Sequence, residues 1–386
     1  MKKKLLVKLI VVALLIALLV VLSSFKDNVA VCEFFATTFA RAWIFVFGNI
    51  LGWIPISFYE MLLIAVFVSI VFTLVLIIYD ICKGKWMKLA SMVLTCAIVV
   101  LSFINIYTST ASFSYNRESL PKEIYTEVKV DEVQYQDVLS MATIVVDKLN
   151  AAYEQTEHDE EGNIVYPFTF AELNSRLKEE YKKLPDDYFS SFTPTGKKIT
   201  NNSIMNELAL SGVFFAPFGE PNVAYSKMDI HLPFTLAHEM AHSKGVMREN
   251  EANLVAYYVL LTSDDPYLHY SALASAMNSC LRMVIRYPNS LPDYNNLLKT
   301  VNSGIRKELS NASKEISQYK LLGNIGNYFN DLYLKLQNQG GTPSYQKPPV
   351  VNVTPELDDY GRPIVKIKKF SDVEYMLIHL YYMDLL

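Results

Sequence analysis

Residues 233–245 read Pro-Phe-Thr-Leu-Ala-His-Glu-Met-Ala-His-Ser-Lys-Gly and contain the pattern His-Glu-x-x-His. The stretch predicts a helix, because Pro233 is tolerated in a first turn and Gly245 is a common C-terminal stop. On that helix His238 and His242 lie four residues apart, so both imidazoles project from one face. This spacing suits two ligands of one tetrahedral zinc ion.

Glu239 directly follows the first histidine, so its carboxylate can reach a water beside the metal rather than the metal itself. A carboxylate in this position is suited to act as general base in metal-assisted hydrolysis. The alternative is an ordinary helix with two unrelated histidines, in a chain that has six. The residues after the pattern favour the metal-binding interpretation.

A catalytic zinc site needs a third protein ligand and one position open for water. One type of zincin takes a third histidine at the position that is Arg248 here, and arginine cannot ligate zinc. The other type takes a glutamate from the next helix, followed four residues later by Asp or Asn. Glu249 and Asn253 fit that spacing, and Asn253 can then hydrogen-bond the free ring nitrogen of the first histidine. Glu251 is the second choice for the ligand.

The stretch from His238 to Asn253 resembles gluzincin-type bacterial metallopeptidases, which have Asp at the last position in many members. Most of the chain is similar to a family of bacterial membrane proteins known as domain of unknown function 3810. The resemblance extends to the apolar N-terminal runs, to Tyr115-Asn116-Arg117 and to Pro233-Phe234-Thr235. It is sharpest over residues 219–258. It implies a zinc-dependent peptidase fold, and it names no substrate.

The N-terminal third is strongly apolar and contributes to a hydrophobic share of 51% over the 386-residue chain. Three runs, at residues 5–22, 62–81 and 89–107, are about long enough to cross a bilayer as helices. We therefore expect a membrane anchor over residues 1–110. The segment 34–59 is also apolar, but Arg, Gly and Pro residues interrupt it. We interpret it as an interfacial or re-entrant helix pair.

Lysines set the expected orientation of these runs, because cytoplasmic loops carry an excess of basic residues. The lysines lie at the N-terminus and between the second and third runs: Lys2, Lys3, Lys4, Lys83, Lys85 and Lys88. Everything after Tyr107 is then expected outside the cytoplasm of a bacterial cell membrane that the chain crosses several times. A crossing by segment 34–59 would invert the orientation of everything that follows it.

Residues 111–386 are expected to form a mainly α-helical, zincin-like domain with a small β-sheet. Residues 212–218 and 221–225 predict a β-hairpin with its turn at 219–220. Its strands can offer backbone hydrogen bonds to an extended peptide, or they can simply cover the core. Residues 339–363 are rich in Pro and Gly and predict a loop. Helical spacing of apolar residues predicts further helices over 132–156, 170–184, 251–262 and 266–287, one or two within 293–336, and one over 371–386.

These features predict a membrane-anchored zinc peptidase that acts on a peptide or protein near the bilayer, with Glu239 as general base. Side chains that could stabilise the oxyanion by their type are Tyr225, His231, Tyr257, Tyr258 and His269. The alternative function is a zincin-shaped membrane sensor or scaffold that binds metal without significant proteolysis. A net charge of −4 gives no support for nucleic-acid binding, and the four cysteines form no Cys-x-x-Cys pair.

Overall fold

The computed structural model describes most of the chain. The described residues are 2–125, 132–185, 187–201, 205, 210–224, 229–287, 289–317, 335, 351–357, 363–367 and 370–386. Within them the chain is mainly helical, with small two- and three-stranded sheets. An apolar N-terminal part of long helices precedes a part with a buried core.

The apolar part forms four long helices among the described residues. They are α1 (Lys2–Ser24), α2 (Val29–Gly52), α3 (Phe58–Cys82) and α4 (Trp86–Thr110). All four are long and apolar enough to cross a membrane, judged by length and composition. The three runs predicted from the sequence lie within α1, α3 and α4.

Helix α2 differs from the predicted helix pair over 34–59. It is one helix that begins at Val29, contains a π-helical stretch over Phe35–Ala40 and ends at Gly52. Gly48 lies inside this helix and does not interrupt it. It is buried against residues 192–194, which follow the apolar helices in the chain. A Cβ added at Gly48 would lie 3.1 Å from the Cβ of Pro194, so the glycine permits close packing here.

Helix α1 packs along α4, and polar side chains join the two apolar helices. Lys8 Nζ donates to the carbonyl of Ser91 at 3.0 Å and to the hydroxyl of Thr95 at 2.6 Å. Asn105 Nδ2 donates to the carbonyl of Leu15 at 3.1 Å. Such bonds satisfy polar groups that would otherwise lie unpaired between apolar surfaces.

The rest of the chain is built on helices that share one core. They are α5 (Tyr135–Glu154), α6 (Phe170–Tyr181), α7 (Leu232–Ser243), α8 (Glu249–Leu261), α9 (Pro266–Ile285), α10 (Leu291–Thr300), α11 (Ser303–Ser317) and α12 (Asp372–Tyr382). On α5 the fully buried Met141, Val145 and Leu149 recur at helical spacing and lie on the helix that packs on α9. The predicted helices are therefore confirmed, with ends shifted by a few residues. α10 and α11 meet at residues 301–302, within the range 293–336 for which one or two helices are predicted, and residues 318–334 and 336 lie outside the described residues.

The strands form small sheets. β1 (Glu157–His158) and β2 (Ile164–Val165) pair antiparallel across a turn over residues 159–163. β3 (Lys197–Ile199), β4 (Gly212–Phe215) and β5 (Glu220–Ala224) form a sheet in the order β3-β5-β4. The antiparallel pairing of β4 with β5 confirms the predicted hairpin. The sequence did not predict β3, a three-residue strand that runs parallel to β5.

The predicted loop over 339–363 is wrong for its C-terminal part. β6 (Val351–Leu357) pairs antiparallel with β7 (Pro363–Ile367). The β-branched residues of these two segments favour strands, despite the prolines in and around them. Residues 339–350 and 358–362 lie outside the described residues. After this hairpin α12 packs on the core, with Leu377 and Leu380 fully buried.

Candidate metal centre

The His-Glu-x-x-His stretch forms α7, a helix that is buried along most of its length. Pro233 lies in its first turn, where a missing N–H costs nothing. Gly245 follows the helix with a φ of +88°, a left-handed conformation that favours glycine. The chain then turns through Val246 to Arg248 and enters α8 at Glu249. The two helices that carry the predicted ligands are thus joined by one short turn.

The structure brings the three predicted ligands together. His238 Nε2 lies 3.0 Å from Glu249 Oε2 and 3.1 Å from His242 Nε2. His242 Nε2 lies 3.6 Å from the same carboxylate oxygen. Ligand atoms that bind one tetrahedral zinc at ordinary bond lengths lie about 3.4 Å apart, so the donor set fits this ion.

The outer nitrogens of both imidazoles have their own partners. His238 Nδ1 lies 2.9 Å from Asn253 Oδ1, and His242 Nδ1 lies 2.7 Å from the carbonyl of Val246. Both partners are acceptors, so each Nδ1 carries the hydrogen and each Nε2 presents a lone pair. Two lone pairs and the Glu249 carboxylate therefore converge on one point. Such an arrangement repels itself unless a cation or a proton lies between the groups.

Glu251, the second choice for the third ligand, points to a different partner. Its Oε2 lies 3.1 Å from Arg248 Nε, as the i, i+3 spacing allows. Among the described residues the group of His and acidic side chains that can hold a metal is His238, His242 and Glu249. The geometry thus favours Glu249 over Glu251 as the ligand.

Electrostatic coupling within the cluster shifts the proton affinities of its members. Burial lowers the pKa of His242, but the Glu249 carboxylate raises it, and the net effect is a rise to about 9. Burial raises the pKa of Glu249, but His242 and His238 lower it well below its usual range. A proton on His242 thus offsets part of the repulsion among the three converging groups.

Glu239 lies on α7 with 5% of its surface exposed, beside strand β4. Its carboxylate accepts a hydrogen bond from the backbone N–H of Phe214. A Cβ added at Gly212 would lie 2.5 Å from Glu239 Oε1, so the strand approaches the carboxylate closely. Burial raises the pKa of Glu239 to about 7. That value suits a group that accepts and returns a proton near neutral pH.

Four of the five predicted oxyanion-stabilising side chains fall within the described residues, and their partners lie away from the cluster. Tyr225 lies outside the described residues. His231 Nδ1 lies 2.9 Å from Ser275 Oγ on α9, and the ring of Tyr257 packs on Phe234. Tyr258 packs against the core, and His269 lies on α9 with its Nε2 buried. Within the described part of the chain, none of the four hydrogen-bonds to the cluster, and their role stays a prediction.

Three contacts at the site were not predicted from the sequence. They are the carbonyl of Val246 on His242, the close approach of Gly212 to Glu239, and the guanidinium of Arg117 at the end of α7. Val246 directly follows Gly245. The tight turn that this glycine predicts could therefore have indicated that the carbonyl of Val246 returns to His242. The other two contacts join distant parts of the chain, and no local spacing encodes them.

Comparison with known proteins adds a family. A family model described as "Protein of unknown function (DUF3810)" matches residues 35–351. The match begins in α2 and ends at the start of β6, so it covers the apolar helices α3 and α4 together with the cluster. No curated protein and no solved structure matches the chain.

Proposed function

The chain belongs to the DUF3810 family, and we propose that it is a membrane-anchored zinc peptidase whose zinc is held by His238, His242 and Glu249. One observation carries this proposal. Three atoms able to bind a metal lie 3.0, 3.1 and 3.6 Å from one another, and the partners of both Nδ1 atoms turn the two Nε2 atoms inward. A structural zinc site does not need the buried Glu239 beside it, so the set favours a catalytic site.

The residues around this point support hydrolysis. Zinc, when bound, supplies a Lewis acid that lowers the pKa of water to about 7 and polarises a carbonyl. Glu239 takes the proton from the attacking water and passes it to the leaving amine. Asn253 holds His238 in the tautomer that presents Nε2, since its Oδ1 accepts from Nδ1.

Strand β4 provides a binding edge for an extended peptide. It is an end strand of its sheet, and it passes directly beside Glu239 at Gly212. A substrate chain that adds to an exposed strand edge gains backbone hydrogen bonds irrespective of its sequence. The proposed substrate is therefore an unfolded or extended polypeptide segment.

Helix α2 indicates how the peptidase part lies on the membrane. Along its length α2 bonds to the part of the chain after the apolar helices. Arg41 donates to the carbonyl of Tyr188 at 2.6 Å, and Trp43 Nε1 donates to the carbonyl of Pro217 at 3.1 Å. At its C-terminal end the carbonyl of Leu51 accepts from Lys197 Nζ at 3.0 Å.

A helix that crossed the bilayer would draw these polar partners into the hydrocarbon, where unpaired charge is costly. We therefore place α2 flat at the membrane surface. Its buried residues recur every four positions and are Cys32, Ala36, Ala40, Ile44 and Gly48. Other positions of α2 expose large apolar side chains, among them Phe34, Phe45 and Ile50. That exposed surface is suited to lipid.

With α2 on the surface, α1, α3 and α4 make three crossings. The lysines at the N-terminus and around residue 84 then lie in the cytoplasm, and the peptidase part lies outside it. The sheet beside Glu239 meets the outer end of α3. Glu220 accepts from the backbone N–H groups of Phe58 and Tyr59 at 3.3 and 3.2 Å. Substrates are therefore expected to be polypeptide segments close to the bilayer.

The experiment uses the full-length protein in lipid nanodiscs. Zinc content and cleavage of a peptide library are measured for wild type, Glu249→Gln and the matched control Glu251→Gln. We expect about one zinc per chain and cleavage in wild type and in the control, and loss of both in Glu249→Gln. Equal zinc content in the two variants would refute the ligand assignment. Zinc binding without cleavage of any peptide by wild type would favour a metal-binding scaffold.

A further inference from the structure

The turn between α7 and α8 determines how far His242 lies from Glu249, because these ligands sit on either side of it. Arg117, which follows the last apolar helix, contacts this turn directly. Its Nη1 donates to the carbonyl of Gly245 at 3.2 Å. A Cβ added at Gly245 would lie 2.7 Å from the same Nη1, so the guanidinium fits against a glycine.

Arg117 is a buried cation, with 1% of its side chain exposed, and α2 supplies its counter-charge. Glu33 accepts from Arg117 Nε at 3.1 Å and from Nη2 at 3.0 Å, through its two carboxylate oxygens. The paired geometry fixes the plane of the guanidinium, as a single contact from lysine would not. Arg117 also lies over the ring of Tyr188, whose carbonyl accepts from Nη2 at 3.2 Å.

The same segment holds the beginning of α8. Arg248 Nη2 donates to the carbonyls of Arg117 and Glu118 at 3.0 and 2.8 Å. Arg248 in turn pairs with Glu251 in the first turn of α8. Residues 117–118 are thus tied to the C-terminal end of one ligand-bearing helix and to the N-terminal end of the other.

We propose that Arg117, oriented by Glu33, is a positioning residue that sets the separation of the metal ligands. Glu33, near the N-terminal end of α2, then acts on the metal centre through Arg117. This inference rests on the proposed zinc site. A positioning role of Arg117 differs from a merely structural one, because loss of its ion pair with Glu33 should weaken zinc binding more than it lowers the stability of the fold.

The test uses the full-length protein in nanodiscs with Arg117→Lys, Glu33→Gln and the double variant. Arg286→Lys is the matched control, since Arg286 pairs with the buried Glu374 between α9 and α12. Zinc affinity is measured by competition with a chelator, and the geometry by the visible spectrum of the cobalt-substituted protein. The Tm of the metal-free form is measured in parallel.

We expect Arg117→Lys and Glu33→Gln each to weaken zinc binding about 10- to 100-fold, as loss of groups that orient ligands generally does. The double variant should bind no more weakly than Arg117→Lys, because the two residues act in one chain of contacts. The cobalt spectrum should change, and Arg286→Lys should lower Tm with wild-type zinc affinity. Glu33→Gln retains a hydrogen-bonding side chain, so it provides the measurement if Arg117→Lys does not fold.

Wild-type zinc affinity in both single variants would overturn the inference and leave the proposed function intact. So would a loss of affinity in Arg286→Lys equal to that in Arg117→Lys. Failure of the wild-type protein to bind zinc would overturn the proposed function and this inference together.

Discussion

A proton on His242 competes with the proposed zinc ion for the same ring nitrogen. The pKa of His242 is raised to about 9 by the Glu249 carboxylate, against the effect of burial. We therefore expect zinc binding to release a proton from His242, and affinity to rise roughly tenfold per pH unit between about pH 7 and 9. Calorimetry in buffers of different ionisation enthalpy measures the release directly. Zinc binding without proton release at pH 7 would contradict this assignment.

The same pair sets the pH dependence of stability in the metal-free protein. The raised pKa of His242 contributes to the free energy of unfolding. This contribution is complete below pH 6.5 and is lost as pH rises through about 9. The lowered pKa of Glu249 contributes to the same free energy above pH 4.5, and this contribution is lost as pH falls below that value. The Tm of the metal-free protein should thus fall between about pH 6.5 and 9, while the increase in Tm upon zinc addition grows.

Gly212 offers a test of where the base lies. A methyl group at this position would lie 2.5 Å from Glu239 Oε1, so Gly212→Ala should displace the carboxylate and leave the ligands in place. We expect cleavage to fall about 100-fold, a typical effect of a displacement of about 1 Å, with unchanged zinc content. Gly52→Ala is the control, because a Cβ added there would lie 3.5 Å from Thr195 Oγ1, an ordinary van der Waals distance. Full activity in Gly212→Ala would remove Glu239 from its proposed role.

Among the contacts between elements, Lys197 on β3 hydrogen-bonds the C-terminal end of α2. It is 3% exposed, and its Nζ donates to the carbonyls of Leu51 and Gly52 at 3.0 and 3.4 Å and also to that of Ile54. Lys197→Met leaves these carbonyls without the donor, at an expected cost of about 1–3 kcal/mol. Thermal unfolding should show the loss, with zinc affinity unchanged. An equal effect from Lys198→Met on the same strand would contradict a specific role for Lys197.

The elements also show which features a sequence can predict. The proposed ligands lie on two neighbouring helices, where the spacing of His238, His242 and Glu249 determines which side chains face one another. Their convergence could be predicted for that reason, as could the hairpin before α7. The three-residue β3 is too short to leave a pattern, and its pairing depends on a parallel partner more than 20 residues away. The contact of Arg117 with Gly245 depends on tertiary packing, which local periodicity does not encode.

In the whole molecule, we expect that α2 does not cross the membrane. Single cysteines at positions 26 and 53, just beyond its two ends, should then lie on the same side, together with one at 160. A cysteine at position 84 should lie on the opposite side. An impermeant maleimide applied to intact cells distinguishes these outcomes in a cysteine-free background. Labelling of 26 and 53 from opposite sides would show that α2 crosses.

We propose that Glu239 acts as general base beside a zinc held by His238, His242 and Glu249. The most direct measurement compares zinc content and peptide cleavage of wild type and Glu239→Gln, both full-length in nanodiscs. Both proteins should hold about one zinc per chain, and cleavage by the variant should be slower by about 10²- to 10⁴-fold. Equal cleavage rates, or the absence of zinc from both proteins, would contradict the claim.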